Sequence, residues 1–397
     1  MLIGVVGKPS AGKSTFFNAA TSQDVPMASY PFTTIEANKA IGFVRIDCVD
    51  KEFNTQCNPR SGFCHNHIRY VPIELIDVAG LVPGAHEGKG RGNQFLSDLS
   101  RADVLIHVVD ASGSINEKGE PVGAGNYDPI KDVEFLEEEI NLWFFGILNK
   151  HWDKLSRTPY ESKAKMLTAL MQSLSGVGAK EAQLERTLNE LSLIEKRLNQ
   201  WTPEEKLGFV KKLRESSKPI IIAANKIDVP QAKENIEKMK SKFPKMKIIP
   251  CSGISELTLK RAMKEGSIEY YPGEKNFEVK KELNEKQQKG IDYIKQNVLE
   301  KFGSTGIQEV LEKAVFEELK YIAVFPGGTK SLADKDGNRL PDVFLMSPKS
   351  TALDFAFALH TDFGEKFIRA INVKNKLLIG RDYELKHRDV IEIVHGN

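Results

Sequence analysis

Between Gly7 and Ser14 the chain reads Gly-Lys-Pro-Ser-Ala-Gly-Lys-Ser, and no other stretch constrains its folding as strongly. The octapeptide fits the phosphate-binding loop pattern G-x-x-x-x-G-K-[ST]. Its surroundings fit as well: Leu2 to Val6 is an apolar strand candidate, and Thr15 to Ala20 reads as the start of a helix. A strand, a glycine-bearing turn and a helix start let successive backbone N–H groups converge on phosphate oxygens, backed by the positive end of the helix. The expected contacts are Gly7, Lys8, Pro9, Ser10, Ala11, Gly12, Lys13, Ser14 and Thr15. In this pattern Lys13 lies along the β- and γ-phosphates and the Ser14 hydroxyl binds Mg²⁺.

A phosphate loop alone says only that a nucleotide binds. Three further segments, each expected where a strand leaves a sheet, narrow the choice. Asp77-Val78-Ala79-Gly80 ends the apolar run Tyr70 to Ile76; Asp77 suits a Mg²⁺-bound water, and the Gly80 N–H suits the γ-phosphate. Asn225-Lys226-Ile227-Asp228 follows the run Pro219 to Ala224. A carboxylate at Asp228 accepts from the ring imino and exocyclic amino groups of guanine, a donor pair that adenine lacks. Cys251-Ser252-Gly253 follows Lys247 to Pro250, and there Ser252 and Gly253 can offer a backbone N–H to the guanine oxygen. Four such segments in order predict an open α/β sheet with its ligand at the carboxyl ends of the strands.

The rest of the chain is read around that frame. Its 397 residues leave room for two or three domains, and 41% hydrophobic with 28% charged residues is ordinary for a globular protein. A net charge of +2 excludes a globally basic nucleic-acid or membrane binder. No apolar run approaches the roughly 20 residues of a membrane span, and four cysteines do not make a secreted disulfide scaffold, so a cytoplasmic protein is expected. Strand and helix signals alternate through residue 270, as in a P-loop α/β domain. They are interrupted by a strand-free insertion over 132–216 that reads as a coiled-coil-like helical hairpin. Leu136, Ile140, Trp143, Phe144 and Ile147 share one helical face there, and Leu184, Leu188, Leu191, Ile194 and Leu198 share another. Thr202-Pro203-Glu204-Glu205 is a capped helix start. Residues 271–318 read as a charged helical connector. Residues 319–397 read as a small α+β module, with strands at Tyr321 to Phe325, Val343 to Met346, Phe367 to Val373 and Val390 to Val394, and a helix at Ala352 to His360.

The runs Tyr30-Pro31-Phe32-Thr33-Thr34-Ile35-Glu36-Ala37-Asn38 and Asp77-Val78-Ala79-Gly80-Leu81-Val82-Pro83-Gly84-Ala85 closely resemble the Obg family of GTPases, in its YchF-like branch of archaeal type. Thr351-Ala352-Leu353-Asp354-Phe355-Ala356 and Asp389-Val390-Ile391-Glu392-Ile393 resemble the TGS domain, a β-grasp module. Arg388 stands where that module usually has a glycine. The resemblance implies a GTPase switch that hydrolyses GTP to GDP and phosphate. Its implied Mg²⁺ shell is Ser14, Thr34 and, through water, Asp77. Leu81 occupies the place of a water-positioning glutamine, so the catalytic residue is unknown, and a partner, an ion or the glycine-rich loop from Gly84 to Gly92 must supply it. The final Asp228 argues for guanine, since some members of this branch that replace it accept ATP. Ser10 stands where some related GTPases carry an Asn linked to K⁺, which leaves potassium dependence open. The TGS module and the helical insertion imply contact with the ribosome or structured RNA. The alternatives are a nucleotide-occupied adaptor with incidental hydrolysis and an ATPase of the same branch.

Cys48, Cys57 and Cys64, with His65 and His67, form a further cluster whose spacing matches no common zinc pattern. A metal site, a disulfide and free thiols all stay open. His107 reads as a packed histidine, and Lys386-His387-Arg388 as a basic turn that is either solvated or touches RNA.

Overall fold

The computed structural model describes residues 1–21, 38–79 and 92–396. Its strands are β1 Leu2–Val6, β2 Lys39–Asp47, β3 Phe63–His65, β4 Ile68–Asp77, β5 Val104–Asp110, β6 Ile220–Asn225, β7 Lys247–Pro250, β8 Ile268–Glu269, β9 Glu278–Val279, β10 Ile322–Pro326, β11 Phe344–Met346, β12 Phe367–Asn372, β13 Leu377–Ile379 and β14 Val390–His395. Contacts divide the chain into two compact units: Met1–Ala20 with Glu74–Val310, and Thr21–Ile73 with Leu311–Asn397.

The first unit is built on a parallel sheet in the order β4, β1, β5, β6, β7. Every residue of β1, β5 and β6 is buried, as in a parallel sheet covered on both faces. The register brings the strand exits level: Val5 pairs with Asp77, Val6 with His107, Asp110 with Asn225, and Ala224 with Pro250. The chain passes to one side of β1 with β4 and to the other with β5, which makes the end of β1 the topological switch point. From that end the loop runs directly into helix α1, Lys13–Ala20, which buries Phe16, Ala19 and Ala20.

Helix α2, Gly92–Arg101, precedes β5. The insertion follows as α3 Ile130–Arg157, α4 Lys163–Ser173, α5 Glu181–Glu190 and α6 Pro203–Ser217. It is four packed helices and not the expected two-helix hairpin. Leu136, Ile140, Phe144 and Leu148 of α3 recur every four residues and share one core with Leu170, Leu184, Leu188, Phe209 and Leu213. The leucine stripe stops being helical after Glu190, where Leu191 is 37% exposed and Ser192 takes a left-handed backbone. The capped start at Thr202 is present, with Thr202 and Glu205 exchanging side-chain to backbone bonds and Pro203 opening α6. Helices α7 Ala232–Lys242 and α8 Gly253–Lys264 flank β7 in sequence. The stretch expected as a helical connector over 271–318 carries β9, which pairs with β8 just ahead of it, and becomes helical only at α9, Glu285–Ile294.

In the second unit, β3 and the start of β4 form an antiparallel hairpin. The C-terminal residues form a mixed sheet in the order β11, β10, β14, β12, β13, carrying the helix Ala352–Leu359. Thr351 caps that helix through Asp354, and Ala352 and Phe355 bury against Val324, Ala370 and Ile391. The expected β-grasp module is therefore observed. The loop from Asn58 to Arg60 lies against the segment 334–342. Asn58 N–H donates to Arg339 O at 2.8 Å and Arg60 N–H to Pro341 O at 2.9 Å. The buried Arg69 guanidinium donates to Leu340 O and Pro341 O at 3.2 and 2.7 Å.

Candidate nucleotide site

Of the phosphate-loop residues, Gly7 to Gly12 join β1 to α1 and Lys13 to Thr15 open that helix, as the motif requires. Gly12 takes φ +92°, and a Cβ there would stand 2.3 Å from Asn225 Nδ2, so both backbone and space call for glycine. Lys13 forms an ion pair with Asp77, bringing together the residue expected at phosphate and the one expected at the metal. Ser14 is exposed in the first turn of α1, while Pro9 and Ser10 are exposed on the loop. The side chain of Lys8 turns inward instead. Its ammonium meets Asp132 Oδ2 at 2.8 Å, donates to Ile115 O at 3.1 Å, and lies 3.9 Å from the centre of the Tyr127 ring.

Asn225 ties three of the predicted segments together. Its Nδ2 donates to Ala11 O at 3.1 Å, and its Oδ1 accepts from Gly253 N–H at 3.0 Å. Lys226 adopts a left-handed backbone and places its ammonium 3.0 Å from Asp110 Oδ2 and 3.2 Å from Ser114 Oγ. Asp228 is partly exposed, and its Oδ1 accepts from Ser252 Oγ at 2.7 Å. Ser252 also accepts from Ser255 N–H at the start of α8, so one hydroxyl orients the carboxylate and caps a helix. The Asp228 carboxylate is thus held in place by a residue of the neighbouring strand exit. Thr34, Gly80, Leu81 and the glycine-rich loop after it lie outside the described residues, so their expected roles stay expectations.

Several supporting residues escaped the sequence reading. Asp110 leaves β5 and accepts from Ser112 and Ser114 through both backbone and hydroxyl groups. Burial alone would raise its pKa, but these bonds and the Lys226 charge outweigh it and hold the carboxyl below the usual range. The same strand-exit logic that found Asp77 would have found Asp110. Thr305 and Gly306 carry no such signal. Thr305 O accepts from Ser252 N–H at 2.9 Å, while its hydroxyl donates to the buried Glu256 at 2.6 Å. At Gly306, φ is +77° and a Cβ would stand 1.9 Å from Pro250 O, so only glycine passes there. Tyr293 OH donates to Asp228 O at 2.8 Å.

A parallel sheet with a phosphate loop at its switch point, and a carboxylate aligned at the next strand exits, defines a P-loop GTP-binding protein. Family models agree. The "50S ribosome-binding GTPase" model matches residues 2–136, the "Obg-like GTPase YGR210-like, G4 motif-containing domain" model matches residues 223–327, and the TGS domain model matches residues 335–395. The chain is 48% identical over 396 residues to an uncharacterized GTP-binding protein of Methanocaldococcus jannaschii, covering 99% of this chain and 98% of that one. It is 40% identical over 336 residues to another from Schizosaccharomyces pombe, covering 82% and 81%. Obg-like ATPase 1 of Rattus norvegicus is 35% identical over 42% of this chain and 39% of its own length. Among solved structures, a GTP-binding protein from Pyrococcus horikoshii superposes with a TM-score of 0.78 at 37% identity over all of both chains. The Schizosaccharomyces pombe YchF GTPase shares the fold, at TM-score 0.58 and 20% identity over 99% and 97%. The chain belongs to the Obg-like GTP-binding proteins, in their YchF-like branch, and ends in a TGS domain. Among the described residues no helix is long and apolar enough to cross a membrane.

Proposed function

We propose that this protein is a Mg²⁺-dependent GTPase switch, slow by itself, whose TGS module and helical insertion engage the ribosome or a structured RNA. The observation that carries the GTP reading is Asp228, anchored by Ser252 at 2.7 Å in the unit that also holds the phosphate loop and the Lys13–Asp77 pair. A fixed carboxylate accepts two hydrogen bonds from guanine, whereas adenine offers no such donor pair and would leave it unpaired. Asp228 therefore opposes the ATPase reading, although several vertebrate relatives carry the name Obg-like ATPase 1. The donors present suit Mg²⁺, which takes hard oxygens. The Ser14 hydroxyl would hold the ion directly and Asp77 through water, and the bound ion would offset phosphate charge. Lys13 would then turn from Asp77 to the phosphates. The division of labour follows the boundaries 1–270, 271–318 and 319–397, with nucleotide chemistry in the first and partner recognition in the last and in the insertion over 132–216.

Competition binding with GDP and ADP on the full chain tests the base preference. GDP is expected to bind tighter by roughly 10²-fold or more, and Asp228→Asn to remove most of that preference. Comparable affinities for GDP and ADP would overturn it. Phosphate release is expected to be slow, because Leu81 cannot orient water and an arginine finger alone contributes roughly 10³–10⁵-fold. Added ribosomes are expected to accelerate it. No acceleration by ribosomes or RNA would favour the adaptor reading.

A further inference from the structure

The second unit gathers three cysteines that the nucleotide site does not use. Cys48 follows β2, Asp50 lies in the short turn Val49–Phe53, Cys57 lies in the next loop, and Cys64 lies in β3. Ligating atoms of Cys48, Asp50, Cys57 and Cys64 all stand within 4.8 Å of one another. Cys48 Sγ and Cys57 Sγ are 3.6 Å apart, and Cys64 Sγ is 3.9 Å from Asp50 Oδ2. Two thiolates bound tetrahedrally to one zinc at about 2.3 Å each stand roughly 3.8 Å apart. A disulfide would need about 2.05 Å. The observed spacing suits a shared ion.

Asp50 strengthens the case. Its side chain is fully buried, and a carboxylate is costly to bury without charge compensation. Its Oδ2 accepts from Cys57 N–H at 3.1 Å on the thiol side, and its Oδ1 pairs with His67 Nδ1 at 2.9 Å on the other. Carboxylates that ligate metals are themselves held by outer hydrogen bonds, and His67 supplies such a bond here. His67 reaches it because Asn66 and His67 both take left-handed backbones, at φ 47° and 61°, in the two-residue turn between β3 and β4. His65 turns to Asn66 instead, 2.8 Å away.

We propose that Cys48, Asp50, Cys57 and Cys64 bind one zinc ion as a closed structural site, with His67 positioning Asp50. Four protein ligands leave no open position, so the site is structural and not catalytic. Zinc binding releases the thiol protons to solvent and converts binding energy into folding energy. The ion would tie the end of β2 to the β3–β4 hairpin across a loop whose Arg60 pairs with Asp334 and Asp342 at 2.7 and 3.0 Å. It would thereby hold that loop against the segment 334–342.

The test uses the full chain purified under reducing conditions without chelator. Elemental analysis is expected to find about one zinc per chain, released when the thiols are blocked. Cobalt in its place is expected to show thiolate-to-metal charge transfer and tetrahedral ligand-field bands. Cys57→Ser and Cys64→Ser should lose the ion, while His67→Ala should keep it with roughly 10–100-fold weaker affinity against a chelating dye. Should the cysteine variants fail to fold, cobalt titration of the chelator-stripped wild-type chain decides. A wild-type chain that holds no zinc and shows no thiolate–cobalt band would overturn the proposal. So would a non-reduced chain that has lost two thiols to a Cys48–Cys57 disulfide and takes up zinc no better after reduction.

Discussion

His107 lies inside the parallel sheet, paired with Val6 on one side and Ile222 on the other, and is 2% exposed. Burial, with the Lys8 charge adding to it, pushes its pKa down to about 3, so the imidazole is neutral in the fold. In the unfolded chain the same ring takes up a proton near pH 6.5. Between those values the unfolded state binds more protons, and stability falls as pH drops through the window, by on the order of a few kcal/mol. The urea midpoint is expected to drop between about pH 7.5 and pH 5, and His107→Leu to flatten that drop. An unchanged slope in the variant would assign the effect to other groups. Arg388 shows a different residue-level compromise. It keeps the left-handed backbone, at φ 68°, for which a glycine was expected, at a cost of about 1–2 kcal/mol. Its guanidinium pairs with Glu52, a carboxylate shared with Lys374 at 2.7 Å, and this partly offsets the strain. The neighbouring His387 accepts from Ala323 N–H at 3.1 Å. Two side chains of the basic turn are therefore engaged within their own unit.

The phosphate loop and helix α3 are coupled through one buried pair. Lys8 and Asp132 are 5% and 6% exposed, and Tyr127 OH donates to the same carboxylate at 2.9 Å. Removing one partner of a buried pair leaves an uncompensated charge, and such losses run to about 3–5 kcal/mol. Lys8→Met is expected to destabilise by that order in urea unfolding, and Asp132→Asn to recover part of the loss in the double variant. Strictly additive effects would mean that the loop and the helical insertion are energetically independent. Asp132 lies in the first turn of α3, so the element that opens the insertion is pinned to the loop that would hold phosphate.

The contacts do not follow chain order. Residues Thr21–Ile73 share a compact unit with Leu311–Asn397, although about 240 residues separate them. Arg69, 1% exposed, spends its guanidinium on two carbonyls of that distant segment. A chain ended at residue 318 is therefore expected to lose more than its C-terminal module. Amide hydrogen exchange in β2, β3 and the first half of β4 should speed up markedly, while GDP affinity, whose described residues all lie in the other unit, should persist. Unchanged protection over residues 39–73 in the truncated chain would show that this segment folds without its partner. Lost GDP affinity would show that the two units share the nucleotide site.

The parallel sheet, the phosphate loop, the strand exits at Asp77, Asn225 and Pro250, the capped helix at Thr202 and the TGS helix at Thr351 were all legible from the sequence. Each rests on a local rule, a turn geometry or a period of two or 3.6 residues, that a short window carries in full. Local rules reach no further than their window. Leucine spacing suggested a longer helix after residue 184, but the packing of four helices ends it at Glu190. Lys8 meets Asp132, Arg69 meets Pro341, Ser252 holds Asp228 and Gly306 clears Pro250 only because the folded backbone closes those distances. The three cysteines show the same division: their spacing matches no common zinc pattern, and the turn after β2, the loop holding Cys57 and the β3–β4 hairpin bring them around Asp50. Such pairings depend on loop closures across tens to hundreds of residues, whose cost and direction leave no periodic mark on the chain.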